Sequence, residues 1–287
     1  MRDVASFFPS FPPILICRAR RLALIAAEES PWRAPEAVLL ECDDQLEQLA
    51  ECVRARLRLE ASHGSGNSAE VECALGQTAT VLFGSAGAAD DGVGAHLFRG
   101  ESPNYYDPRN SFVTCALERR CGIPITLSLI FAEVCFRASG VATVGLNAPG
   151  HLLVAPAAAQ YDLAVDCFAG GSMLRGGSLR SFVAHRAGLA THAEADALLK
   201  ELRDQPMSPR FFPQSGSASF LGKLEVSNSC LPPEEERCSY YAARREWVAR
   251  SLRNLLAIYW VSNDPVRLLG TAERLLLLVD TARERRT

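Results

Sequence analysis

Residues 117–140 read LERRCGIPITLSLIFAEVCFRASG, and the pattern inside them is that of a helix enclosed on every side. Pro124 stands at a favoured first-turn position, because the N–H it lacks is one that a helix start leaves unpaired anyway. Gly140 supplies the stop. Between them Ile125, Leu127, Leu129, Ile130, Phe131, Val134, Cys135 and Phe136 cover nearly the whole circumference, and a helix apolar all round belongs in the interior. Cys121 lies just ahead of this helix, which raises the question whether it is a nucleophile aimed from a helix N-terminus.

Working outward towards the C-terminus, three short extended runs follow: VATVGLN at 141–147, HLLVAP at 151–156 and YDLAVDCF at 161–168. Pro149-Gly150 and the 157–160 link separate them, which predicts consecutive antiparallel strands. A buried helix followed by a meander is an α+β pattern, not a βαβ one. GGSMLRGG at 170–177 reads as a loop, and SLRSFVAHRAGL at 178–189 as a helix capped by Ser178. The span 203–237, rich in Pro, Ser and Glu, reads as a flexible linker or insertion. Residues 245–261 and 265–280, joined by SNDP, form a helical hairpin that resembles one tetratricopeptide repeat. One such unit cannot bury its own face, so it has to dock on the core or on a partner.

Towards the N-terminus, SFVTCALERR at 111–120 has helical periodicity, and YYDPRN at 105–110 is a turn ahead of it. Residues 71–83, 36–59 and 20–29 also carry apolar residues three and four apart, with EASHGSGNSAE at 60–70 and GSAGAADDGVG at 84–94 as loops. The expected layout is an extension over 1–18, a helical segment over 19–100, a core over 101–202, the linker over 203–237 and the hairpin over 238–287.

Composition bounds the rest. Hydrophobic residues make up 48% and charged ones 22%, which excludes a wholly disordered or fibrous chain. The net charge of -3 leaves no overall basic field to hold nucleic acid or an anionic membrane, and RARR at 18–21 and RERR at 283–286 read as solvated helix ends. No apolar run is long enough to span a bilayer. Asp3 and the prolines of MRDVASFFPSFPPILICRARR spoil it as a secretory signal, so a cytoplasmic protein is expected, with organellar targeting by this leader as the alternative. The ten cysteines include no C-x-x-C pair, and most lie in apolar periodic segments, which argues for reduced thiols instead of disulfides or zinc. His63, His96, His185 and His192 have no metal-ligand spacing, and neither Gly170-Gly171 nor Gly176-Gly177 is followed by the Lys-Ser/Thr of a phosphate loop. No metal and no cofactor is expected.

The residues with chemical potential are few. His151 begins one predicted strand and Asp166 ends the next, a spacing that puts the two side chains on one face of neighbouring strands. An imidazole held by a carboxylate is the pair that activates a cysteine in papain-like chemistry. A thiol at the start of the buried helix would complete it, since a helix N-terminus and a neighbouring His lower a thiol pKa from about 8.5 into the reactive range. The plainer reading is a His that pins a turn to Asp166 or to backbone. In YYDPRNS, Asp107 caps the turn, Asn110 or Ser111 caps the helix, and Arg109 pairs with a carboxylate.

YYDPRNSF, LERRCGIPITLSLIFAEV, GLNAPGHLLV and DCFAGG, in this order over residues 104–174, resemble the transglutaminase-like core of the SirB family. Residues 19–59 and 244–281 resemble that family's N-terminal helices and its tetratricopeptide region. The resemblance implies a papain/transglutaminase-like α+β core with no established enzymatic activity. In catalytic relatives a G-x-C motif puts the nucleophile on the first turn of the central helix. Here the motif reads Gly122-Ile123-Pro124, so Pro124, which has neither thiol nor backbone donor, matches the nucleophile, while His151 and Asp166 match the other two triad members. Cys121 lies three residues upstream, too far for the approach of about 3 to 3.5 Å that attack requires. The expectation is a non-catalytic, protein-binding or regulatory module with a protein or peptide partner, in which Asp107, Arg109, Asn110 and Pro124 shape a cleft or turn. The alternative is a cysteine-dependent hydrolase or acyltransferase using Cys121, His151 and Asp166, with Arg119 and Arg120 stabilising the thiolate.

Overall fold

A computed structural model describes residues 34–60, 67–84, 98–157, 162–204 and 234–283. The expected extension at 1–18, the helix at 20–29 and all but the edges of the 203–237 linker lie outside the described residues. The elements run α1 (Pro35–Glu60), α2 (Asn67–Phe83), β1 (Arg99–Gly100), a 3-10 turn (Pro108–Ser111), α3 (Val113–Arg119), β2 (Cys121–Gly122), α4 (Pro124–Ser139), β3 (Thr143–Leu146), β4 (Leu153–Pro156), β5 (Leu163–Asp166), β6 (Ser172–Arg175), α5 (Gly177–Ala187), α6 (His192–Asp204), α7 (Glu234–Val261) and α8 (Pro265–Arg283). The α+β class and the antiparallel meander are as the sequence predicts.

The central helix α4 has Pro124 at its first turn and Gly140 as its left-handed cap, whose N–H donates to the Phe136 carbonyl. Every residue from Ile125 to Ala132, with Val134 and Cys135, is buried, and Phe136 emerges at 47% exposure as the helix leaves the core. Each buried Leu, Ile or Phe on it contributes about 1.5–3 kcal/mol of burial. At that outer end Arg137 meets Asp43 at 2.9 Å and Glu133 at 3.2 Å, which ties α4 to α1.

Strands β3–β4–β5–β6 form one antiparallel sheet in sequence order. Alternation divides its faces between two cores. Leu152, Val154, Leu163, Val165 and Cys167 pack with α1, α2, α4 and α7, while Leu146, Leu153, Ala155 and Ala164 pack with Leu179, Val183, Ala195 and Leu199 of α5 and α6. The small pair β1–β2 is parallel, with Arg99 opposite Cys121 and Gly100 opposite Gly122.

Several sequence expectations need correction. The 170–177 segment is no simple loop: Ser172–Arg175 pairs with β5 as the sheet's edge strand, exposed enough to lack the apolar run by which strands are recognised. Ser178 is inside α5, whose cap is Gly176; its hydroxyl instead accepts from the Arg175 N–H and donates to the Arg175 carbonyl, both at 2.8 Å. Helix α6 goes unpredicted although Thr191 and Glu194 form a reciprocal capping pair at its start, Glu194 accepting from the Thr191 N–H at 2.9 Å and donating its own N–H to Thr191 Oγ1 at 3.2 Å. Helix α2 begins at Asn67, inside the expected 60–70 loop.

The C-terminal hairpin docks on the core. Trp247, Val248, Leu252, Leu255, Ile258 and Tyr259 of α7 belong to the same cluster as α4, and Asn254 Nδ2 donates to Ser111 Oγ at 3.0 Å. Its outer side leaves Trp260, Val261, Val266 and Leu269 exposed. Among the described residues no helix is long and apolar enough to cross a membrane.

Candidate functional site

His151 lies two residues before β4, in the turn after Gly150, and not within the strand as expected; its own N–H donates to the Ala148 carbonyl at 3.0 Å. Asp166 closes β5. Their contact is direct: His151 Nε2 stands 2.8 Å from Asp166 Oδ2, with both residues buried, at 9% and 4% exposure. Nε2 nevertheless has no hydrogen bond of good geometry, so the two groups are in close contact without a linear N–H···O bond. Asp166 Oδ1 accepts from the Phe168 and Ala169 N–H groups at 3.1 and 3.0 Å, which folds the chain back over the strand end.

Aromatic rings close over the imidazole. Phe182 of α5 meets it edge-on at 5.5 Å and Phe168 at 6.4 Å. By alternation His151 and Asp166 share the parity of Leu153, Ala155 and Ala164, the face covered by α5, and the Phe182 contact agrees. Gly100 of β1 is pressed against the same turn: a Cβ there would fall 2.7 Å from the Phe168 ring and from its carbonyl oxygen, so glycine is required.

The first turn of α4 begins with Pro124, after Ile123 in extended conformation with no side-chain cap. Cys121 is in β2 and buried to 2% exposure. Its strand is pinned along β1, since the Arg99 N–H donates to the Arg120 carbonyl and the Glu101 N–H to the Gly122 carbonyl, each at 3.0 Å. The two arginines expected to stabilise a thiolate are otherwise engaged. Arg119 Nη1 donates to Asn110 Oδ1 at 2.9 Å, and the Arg120 guanidinium stacks 4.9 Å above the Phe98 ring, its burial lowering its pKa from the ordinary value. Thr126 and Ser128, within the first turns of α4, are fully buried, and the Ser128 hydroxyl faces the Cys167 thiol.

The YYDPRN segment builds a second polar group. Asp107 caps the 3-10 turn by accepting from the Arg109 N–H at 2.9 Å, and grips the Arg109 side chain through Nε and Nη2 at 2.9 and 2.6 Å. That guanidinium holds the Asp107 carboxyl below the usual carboxylate range. Neither Asn110 nor Ser111 caps α3, whose N-cap is Phe112. Asn110, wholly buried, donates from Nδ2 to the Asn104 carbonyl at 2.7 Å and accepts from Arg119, so it joins the loop to the end of α3. Ser102, Pro103, Asn104, Tyr105, Tyr106, Asp107, Arg109 and Arg119 line an open cleft of about 530 Å³. His151 and Asp166 are not among its walls. Tyr106, Phe168 and Phe182 were not singled out from sequence, since aromatic residues in apolar or turn segments carry no signal of what they cover.

Among the described residues Cys42, Cys52, Cys73, Cys115, Cys121, Cys135 and Cys167 are free thiols, and no group of three or more His, Cys, Asp or Glu side chains could hold a metal. Burial pushes the Cys135 thiol up to about 11, and that of Cys167 higher still, which makes both poor nucleophiles. The arrangement orients the His151 imidazole against the Asp166 carboxylate, and the first turn of the central helix begins with a proline.

Two curated proteins share a segment with this chain. The UPF0162 protein of Xylella fastidiosa (strain 9a5c) is 41% identical over 86 residues, 30% of each chain. The UPF0162 protein of the Temecula1 / ATCC 700964 strain is 41% identical over 83 residues, 29% of each. The chain thus matches less than a third of the length of these relatives. No solved structure matches. The family model for the transglutaminase-like superfamily matches residues 41–211, well over half of the chain and the span from α1 through α6. A central helix packed on an antiparallel sheet, with His151 against Asp166 at the sheet's end, thus accompanies a match that identifies the family: the chain belongs to the transglutaminase-like superfamily.

Proposed function

We propose that the protein is a non-catalytic transglutaminase-like module of the SirB type, working as a protein-binding or regulatory unit. The observation that carries this reading is the start of α4, where Pro124 takes the position that enzymes of this superfamily give to their thiol, as the Gly122-Ile123-Pro124 match implies. Proline lacks both an attacking group and an N–H to donate. The His151–Asp166 pair then serves structure, locking the end of β5 to the turn before β4. The cleft beside Tyr106 and the exposed apolar side chains of the α7–α8 hairpin supply surfaces for a partner.

The competing reading makes Cys121 the nucleophile, His151 its base and Asp166 the orienting group. What favours it is the close His151–Asp166 contact, the arrangement in which a carboxylate orients a catalytic base. Against it stands the burial of Cys121 inside a two-residue strand whose backbone is bonded along its length. Alkylation by iodoacetamide at neutral pH, read residue by residue by mass spectrometry, separates the two. The binding module leaves Cys121 unmodified in the folded protein, more slowly labelled than the part-exposed Cys52, and indifferent to His151→Ala. Rapid labelling of Cys121 that His151→Ala abolishes, together with turnover of a glutaminyl or ester substrate lost in Cys121→Ser, would establish the enzyme instead.

A further inference from the structure

The lining of the cleft around Tyr106 carries two cations and one carboxylate. Arg109 and Arg119 face one carboxylate, Asp107, in a chain whose net charge is -3. Asp107 engages Nε and Nη2 of Arg109, and Arg119 Nη1 is 4.0 Å from the same carboxylate while bonded to Asn110. Among the described residues the remaining donors, Nη1 of Arg109 and Nε and Nη2 of Arg119, have no hydrogen-bond partner. Glu101, adjoining the cleft, directs its carboxylate to the Asn104 N–H at 3.3 Å.

The walls are also set in advance. The Asn104 carbonyl accepts from both the Asp107 N–H at 2.9 Å and the fully buried Asn110 amide, and Asn110 in turn accepts from Arg119, so the loop is fixed to the 3-10 turn and through it to the end of α3 before any ligand arrives. Ordering already present is not charged to binding. Tyr106, 66% exposed, stands edge-on to Tyr105 with ring centroids 5.3 Å apart. Exposed Tyr and Arg on a rigid loop are the side chains that dominate binding energy at protein surfaces. Guanidinium donors left free beside an aromatic face match the planar oxygens of a carboxylate next to a peptide chain.

We infer that this cleft binds a peptide segment bearing carboxylates, through Arg109 and Arg119 with Tyr106 as the apolar contact. The inference rests on the binding-module reading above and gives it a location and a ligand chemistry. The carboxylate comes from Asp or Glu side chains or from a chain terminus, and the test separates these.

Isothermal titration of the full chain uses three hexapeptides: alternating Glu and Tyr with both ends blocked, alternating Lys and Tyr likewise blocked, and a Ser/Tyr peptide with a free C-terminal carboxylate. Binding of the first, with no heat from the second and weakening as salt rises, supports side-chain recognition; binding of the third alone supports terminal recognition. Two variants should act with opposite signs. Arg109→Gln, at an exposed position, weakens the acidic peptide about two- to fivefold. Asp107→Asn keeps an oxygen for the cap yet removes the opposing charge, and tightens the peptide by about the same factor. Equal binding of the Glu and Lys peptides, no binding of either carboxylate peptide, or a shift of the same sign in both variants would overturn the inference while leaving the binding module standing. Conversion of a peptide to products during the titration, seen by mass spectrometry, would overturn the module itself.

Discussion

His151 with Asp166, and Arg109 with Asp107, are two contacts between a carboxylate and a nitrogen base, placed in opposite surroundings. The first is closed under Phe168 and Phe182, with its carboxylate also tied to two backbone N–H groups. The second lies on an open cleft with its arginine 65% exposed. Removing a partner from a buried pair strands polar groups that water cannot reach, whereas an exposed pair exchanges one weak contact for hydration. The inner pair is built into the core, while the outer one lies on the surface for which we propose recognition, and this contrast can be broken at several points.

The largest effect is expected at Asp166. Asp166→Ala leaves the Phe168 and Ala169 N–H groups without their acceptor and the buried His151 ring without its polar neighbour, and should cost on the order of 3 to 5 kcal/mol in urea unfolding. A loss under about 1 kcal/mol would mean that the pair is solvated, and the contrast between the two regions would collapse. Next comes Gly100→Ala, whose Cβ would press on the Phe168 carbonyl as well as its ring; because backbone cannot rotate aside, about 1 to 3 kcal/mol should be lost, with the His151 ring resonances shifting in NMR as Phe168 moves. A variant as stable as the parent would show that the turn has room the geometry denies.

The smallest effect sharpens the outer side. The Asp107 carboxyl is held below its ordinary range by Arg109, so its stabilisation is present above the unfolded value of about 3.9 and is lost as pH falls through the lower folded value. Asp107→Asn should therefore be less stable than the parent by under about 1 kcal/mol at pH 6, with the gap closing below about pH 4 in thermal melts. A gap that widens in acid would reverse the sign of the assignment.

Much of this architecture can be read in the chain. The apolar circumference of residues 125–135, bounded by Pro124 and Gly140, requires a buried helix, and the turn residues at 149–150 and 157–160 separate strands that then pair in order. Where reading fell short, the local pattern was weak and the tertiary partner strong. Strand β6 is an edge with an exposed, mixed pattern, and only β5 beside it makes it a strand. The Ser178 hydroxyl had a choice of backbone groups and took those of Arg175.

Residue identity alone determined that the central helix begins at a proline, because no folding can give Pro124 a thiol. It also determined that Asp107 and Arg109 would meet, since they are two residues apart in a turn. Only tertiary structure decided what surrounds the chemistry: that rings from α5 and from the turn after β5 cover His151, that Cys121 is sealed in a strand, and that Arg119 reaches across to Asn110 to complete a cleft. Covalent chemistry and short-range geometry are local properties of the chain. Burial and charge environment depend on side chains far apart in sequence, and exist only once the cores have closed.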